Sequence, residues 1–81
     1  MRVTVRLFAS IAEAAGERSL ALDLPEGARA EDVRTAIAAR YPRAADGCAR
    51  AALAVNAAYV SGDHVIADGD EVALIPPVSG G

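Results

Sequence analysis

AEDVRTAIAARY (residues 30–41) puts Val33, Ala36, Ile37, Arg40 and Tyr41 at the spacing of one helix face. Glu31 and Asp32 suit the positive end of that helix, and Arg40 and Arg43 suit the other. Pro42 forbids its continuation. No obvious N-capping side chain precedes it. This is the one convincing helix, and the stretches around it read as strands.

Upstream, residues 2–8 alternate, with Val3, Val5 and Leu7 on one face and Arg2, Thr4, Arg6 and Phe8 on the other. Ser10 and Glu13 have the spacing of a capping box, and Gly16 suits the end of a short helix. Residues 18–24 alternate again through Leu20, Leu22 and Leu24, so the first two strands are expected to pair antiparallel. Downstream, residues 43–50 read as polar and irregular, and residues 53–56 as a short strand. A turn-rich stretch holding Tyr59 and Val60 follows, with Val65-Ile66 as a possible local pairing. Asp68-Gly69 marks a turn, read as a hairpin turn with solvated acids. Glu71–Ile75 alternates once more, with Val72 and Leu74 on one face. The order is β-β-α-β-β. It predicts an α+β fold in which one main helix packs on one face of a mixed sheet.

The chain has 81 residues, 53% apolar and 23% charged, which suits one small globular domain. All eight basic residues are Arg, and alanine makes up about a quarter of the chain. The net charge of −3 argues against a nucleic-acid partner. No apolar run reaches the length of a membrane span, and the first residues lack a signal peptide's apolar stretch. One Cys and one His cannot build a zinc or iron–sulfur site. The expected compartment is the cytoplasm. A chain this small is expected to work with larger partners rather than to enclose a complete active site.

Pro76-Pro77-Val78-Ser79-Gly80-Gly81 closes the chain. The two prolines end the last strand, because neither can donate to a sheet ladder. Residues 1–75 are therefore expected to form the domain, and 76–81 a flexible C-terminal Gly-Gly tail. Six extended residues reach up to about 20 Å. Two bare glycines suit a channel that any Cβ would block. The distinctive group is the Gly81 α-carboxylate, which is ionised at neutral pH and needs activation before it can react.

Val5-Arg6-Leu7-Phe8-Ala9, Val55-Asn56, Asp68-Gly69-Asp70-Glu71-Val72 and Pro76-Pro77-Val78-Ser79-Gly80-Gly81 together resemble the small, sulfur-carrier subunits of molybdopterin synthase. The resemblance spans essentially the whole chain. It implies a β-grasp, ubiquitin-like fold. It also implies a cycle on Gly81. An E1-like adenylating enzyme activates the terminal carboxylate with ATP and magnesium, while no cofactor is bound by the carrier itself. Sulfur from a persulfide donor converts the adenylate to a thiocarboxylate. The tail, with Val78, Ser79 and Gly80, then enters the large catalytic subunit, and the sulfur passes to cyclic pyranopterin monophosphate during molybdenum cofactor biosynthesis. The implied assembly is a heterotetramer of two small and two large subunits, in which this chain is a non-catalytic sulfur donor.

Phe8 and Ile75 share the outward parity of polar neighbours, and Tyr59 lies in the turn-rich stretch, so these three are the candidate partner interface. Cys48 reads as a buried or incidental thiol rather than the sulfur site, since nothing nearby activates it. His64 reads as a solvated loop histidine. Asp68, Asp70 and Glu71 read as turn acids rather than a metal site. Three other functions share these features: a sulfur carrier for thiazole, cysteine or tRNA, a ubiquitin-like protein modifier, and a passive β-grasp interaction module.

Overall fold

The structure is a computed structural model that describes residues 1–77; the expected tail positions Val78–Gly81 lie outside the described residues. Five strands and three short or medium helices follow in the order β1 (Arg2–Leu7), α1 (Ala9–Ala15), β2 (Ser19–Asp23), α2 (Ala30–Arg40), α3 (Ala45–Arg50), β3 (Ala52–Val55), β4 (Ala58–Val60) and β5 (Glu71–Ile75), with a 3-10 turn at Pro42–Ala44. The sheet order is β2-β1-β5-β3-β4. β1 and β5 pair in parallel, and every other pairing is antiparallel. The expected α+β architecture, a mixed sheet with one main helix on one face, is what the chain adopts.

The alternation of β1 and β5 explains the core. Val3, Val5, Leu7, Val72 and Leu74 all point to one face and are at most 2% exposed. Register aligns Leu7, Leu74 and Leu53 in one row and Val5, Val72 and Val55 in the next. Val33 and Ile37 of α2 and Ile11 of α1 close the other side, and the core contains no buried charged or polar side chain among the described residues. Each such aliphatic side chain contributes about 1.5–3 kcal/mol on burial.

Several local readings change. Ser10 is not an N-cap: α1 begins at Ala9, its N-cap is Phe8, and no side chain caps it. The chain turns one residue earlier because the Phe8 carbonyl already accepts from the Ile11 and Ala12 amides. α2 has no capping side chain ahead of it, as read, but Asp32 reaches back and accepts from the Arg29 amide at 2.8 Å. Residues 43–50 are not irregular. Ala44 and Cys48, four residues apart, are both buried, and Gly47 lets α3 approach α1 so closely that a Cβ there would lie 3.0 Å from Ile11 Cγ1. Arg34 of α2 finishes the job by donating to the Cys48 and Ala51 carbonyls at 2.6 and 2.9 Å, which satisfies the end of α3.

Tyr59 and Val60 belong to a strand, β4, rather than a turn. The hairpin loop before it is Asn56-Ala57, both with positive φ (49° and 70°), as a type I′ turn demands. Alanine in place of the usual glycine hid that turn. Val65 makes only an isolated bridge to Arg29. The Asp68-Gly69 turn is not a hairpin, because the residues before it form no strand and β5 pairs with β1 and β3 instead. It is a clamp on β1: Asp68 accepts from the Arg2 amide at 2.7 Å, and the Gly69 amide donates to the Arg2 carbonyl at 2.9 Å.

Asp70 links this clamp to the hairpin. Its carboxylate accepts from the Ala67 amide at 2.8 Å and from the Asn56 side-chain amide at 2.9 Å. The Asn56 side-chain oxygen in turn accepts from the Glu71 amide at 3.0 Å. These bonds hold the Asp70 carboxyl below the usual carboxylate range, the Ala67 amide contributing most and Asn56 next.

Two outcomes test this reading. Ala57→Gly removes the cost of a Cβ at positive φ, so urea unfolding should show a gain of about 1 kcal/mol. For Asp70 the native pKa is lowered, so its contribution is present above the usual value near 3.9 and is lost as pH falls through the lower native value. The stability gap between wild type and Asp70→Asn, followed by chemical denaturation, should therefore be widest near neutral pH and shrink as pH drops below about 4.

Candidate functional site

Parallel strands finish at the same end of a sheet. Because β1 and β5 are parallel and Leu7 pairs with Leu74, the next residues, Phe8 and Ile75, emerge side by side on the face away from the core. Phe8 lies one residue beyond β1 but keeps extended geometry (φ −129°, ψ 152°), so it follows the strand's parity. It is 40% exposed, and Ile75 is half-buried. Both line a groove of about 730 Å³, together with Pro76 and Pro77 where the chain leaves the sheet. The structure thus brings two of the three expected interface residues together, where the chain passes from β5 into Pro76.

Tyr59 is on the same face but at the far edge. A register row runs Arg6–Ala73–Ala54–Tyr59 across four strands. Tyr59 is 74% exposed, more than any other large apolar side chain described. Between Phe8 and Tyr59 the floor is made of alanines, Ala52, Ala54 and Ala73. Strand parity in residues 52–55 and 71–75 carried the signal for that floor, since these alanines alternate with core residues. A low, apolar floor between two aromatic side chains is a shape for receiving another surface.

The charges on this outer face, Arg2, Arg6, Asp23 and Glu71, stand in pairs across neighbouring strands. The Arg6 guanidinium stands 5.8 Å from the Phe8 ring centroid and 3.8 Å from the Glu71 carboxylate. Arg50 borders the groove and pairs with Asp46 at 2.8 Å. Both pairs are solvent-exposed and contribute little to stability.

The remaining candidates are not at this site. Cys48 is fully buried in the core, and burial pushes its thiol pKa up, against a smaller opposing effect of Arg34. A protonated, enclosed thiol is a poor nucleophile. His64 is exposed in the loop before Val65. Asp68 and Asp70 are occupied with backbone amides, and Glu71 faces Arg6. Among the described residues no three His, Cys, Asp or Glu side chains gather as a metal site, and no helix is long and apolar enough to cross a membrane. Gly81, Gly80, Ser79 and Val78, the expected reactive tail, lie outside the described residues.

Comparison with known proteins agrees with this layout. A sequence model of the ThiS family matches residues 5–81. The molybdopterin synthase sulfur carrier subunit of Chlamydomonas reinhardtii is 37% identical, with all of both chains covered. The human protein of the same name is 40% identical, covering 99% of this chain and 94% of that one. Among solved structures, SAMP1 from Haloferax volcanii superposes with a TM-score of 0.86 at 31% identity over all of both chains. A complex of subunits 1 and 2 of the molybdopterin-converting factor from Helicobacter pylori contains a chain that superposes with a TM-score of 0.72 at 27% identity, again over all of both chains. On its β-grasp sheet, the family match to residues 5–81 and relatives alike along their whole length, this chain belongs to the ThiS family, alongside the molybdopterin synthase sulfur carrier subunits.

Proposed function

We propose that this chain is the sulfur-carrier subunit of a molybdopterin synthase, with the Gly81 carboxyl as the site that carries sulfur. The observation that carries the proposal is the placement of Pro76 and Pro77 beside Phe8 and Ile75: the chain leaves the sheet next to an exposed apolar face. A partner that docks on that face receives whatever follows Pro77. The relatives named as sulfur carrier subunits, and the two-subunit complex from Helicobacter pylori, support a large catalytic subunit as that partner.

The chemistry divides between the chain and its partners. A carboxylate is a poor electrophile, so an E1-like enzyme uses ATP and magnesium to make the acyl adenylate on Gly81. The adenylate gives the acyl carbon a good leaving group. The outer sulfur of a persulfide donor attacks that carbon and expels AMP, giving an acyl disulfide. A second thiol then cleaves the S–S bond, releasing the Gly81 thiocarboxylate and leaving a disulfide on the donor side. In the large subunit the thiocarboxylate sulfur attacks the pterin precursor, cyclic pyranopterin monophosphate. Water then cleaves the bond between the Gly81 carbonyl and the sulfur, leaving the sulfur on the pterin and returning the carboxylate. Docking through the sheet makes this delivery effectively intramolecular, which raises the local concentration of the sulfur. The folded domain supplies no acid, base or thiol to any step. Its part is to bind, to orient and to hold the tail's root. The reducing cytoplasm suits a free thiocarboxylate.

Similarity to SAMP1, a small archaeal modifier protein, favours a second reading, in which the same terminus is joined to a lysine of a target protein. Conjugates resolved on gels would distinguish it. The mass of the protein isolated from its host, with oxygen replaced by sulfur at Gly81, would support the carrier.

Adding one alanine after Gly81 moves the reactive carboxyl by up to about 3.6 Å and places a methyl in the channel. A misplacement of about 1 Å already costs on the order of 10²-fold in rate. Sulfur transfer with purified partners should nearly vanish, and deleting Gly81 should do the same. Thermal unfolding should shift by less than roughly 0.5 kcal/mol, since β5 ends before Pro76. Normal transfer from the extended protein would defeat the proposal.

Cys48→Ser should separate stability from function. Burying a hydroxyl where the thiol packs costs about 1–3 kcal/mol, read as a lower melting temperature. Sulfur transfer by the folded variant should be unchanged.

A further inference from the structure

Ala9 has a backbone that its side chain does not favour. Its φ is +47°, in the left-handed region where a Cβ is disfavoured. The position is not a loop tip: it is the first residue of α1, directly after Phe8, and it lines the same groove. Strain of this kind persists only where the surroundings impose it, and it concentrates at functional sites.

The surroundings here are two fixed elements. β1 is anchored through Leu7, 2% exposed, and α1 through Ile11, 1% exposed. Phe8, Ala9 and Ser10 must join them. The Phe8 carbonyl is committed to the start of α1, accepting from the Ile11 and Ala12 amides at 3.1 and 3.3 Å. Either Phe8 or Ala9 has to make the reversal from strand to helix. Were Phe8 to make it, its side chain would leave the parity of β1. Because Ala9 makes it instead, Phe8 stays extended, lining the groove that Ile75 also lines, with its ring centroid 5.8 Å from the Arg6 guanidinium.

We infer that Ala9 is a positioning residue for partner docking: its left-handed backbone holds the Phe8 ring on the outer face of the sheet. The inference rests on the docking reading above. A glycine would adopt the same φ without strain, but it would also populate many others, and the ring would lose its fixed direction. An alanine already held at this φ has far fewer alternatives. The side chain is small enough to be tolerated there, and the backbone is stiff enough to aim its neighbour.

A double-mutant cycle on the full chain tests this, with Kd for the large synthase subunit and melting temperature measured for each variant. Phe8→Ala should weaken binding by about 30-fold, as a buried aromatic anchor does. Ala9→Gly should weaken it by roughly fivefold, with a melting temperature equal to wild type or higher. In the Phe8→Ala background the same Ala9→Gly change should cost less than about twofold, because residues that act through one another are not additive. In the free chain, nuclear Overhauser contacts between the Phe8 ring and the Ile75 side chain should be seen in the wild type and lost in Ala9→Gly. Wild-type binding by Ala9→Gly with those contacts intact would overturn the inference, as would equal losses in both backgrounds. If Phe8→Ala itself binds like wild type, the docking reading fails, and the ring contacts alone decide whether Ala9 positions Phe8: their persistence in Ala9→Gly overturns the inference and their loss upholds it.

Discussion

The parallel pairing of β1 with β5 governs everything else in this chain. It joins the first strand to the last, so forming it closes a loop of nearly the whole chain. That is a costly contact order for so small a domain. The cost is offset where the pairing closes: the core rows through Leu7 and Leu74, and through Val5 and Val72, bury fully apolar surface on one side. Register is then secured at the entry to both strands. Asp68 and Gly69 hold both polar backbone groups of Arg2, and the Thr4 amide donates to the Asp70 carbonyl at 3.0 Å. A slip of one residue would turn the slipped strand's core side chains to solvent.

The same pairing determines where the proposed docking face sits. Antiparallel neighbours would send Phe8 and Pro76 to opposite ends of the sheet. Parallel ones bring Phe8 and Pro76 to one corner. The domain is otherwise chemically quiet: the core holds no buried charge among the described residues, and the thiol of Cys48 is enclosed and kept protonated. Such a scaffold is suited to being held by another protein. The acids that a sequence motif search would single out, Asp68 and Asp70, are spent on backbone amides. The Asp-Gly-Asp-Glu motif therefore belongs to folding more than to catalysis.

Alanine richness has a structural use here. Ala52, Ala54 and Ala73 leave the outer face flat, so that Phe8 and Tyr59 stand above it. On the helical side, Ala44 and Gly47 allow α3 to press against α1 and α2. Small side chains on both faces let a short chain build two layers. The disadvantage is a weak sequence signal. An alanine-rich stretch has little hydrophobic periodicity, which is why residues 43–50 look irregular until Ala44 and Cys48 are seen packed inside.

Much of this protein was legible in its residues. Alternation in residues 2–8, 18–24 and 71–75 and the helical spacing of 30–41 specify three strands, their buried faces and the main helix, because each pattern repeats with the period of its backbone. Outward parity was enough to single out Phe8 and Ile75, and the motifs and Gly-Gly ending were enough to suggest the family. Tertiary structure alone decided the rest. Parallel pairing made Phe8 a neighbour of Ile75 and Pro76, which no local pattern reveals, since most of the chain lies between them. It also decided that Asn56-Ala57 is a tight turn and that Ala9 adopts a left-handed backbone. Those conformations run against local preference, and only contacts made elsewhere in the fold can impose them.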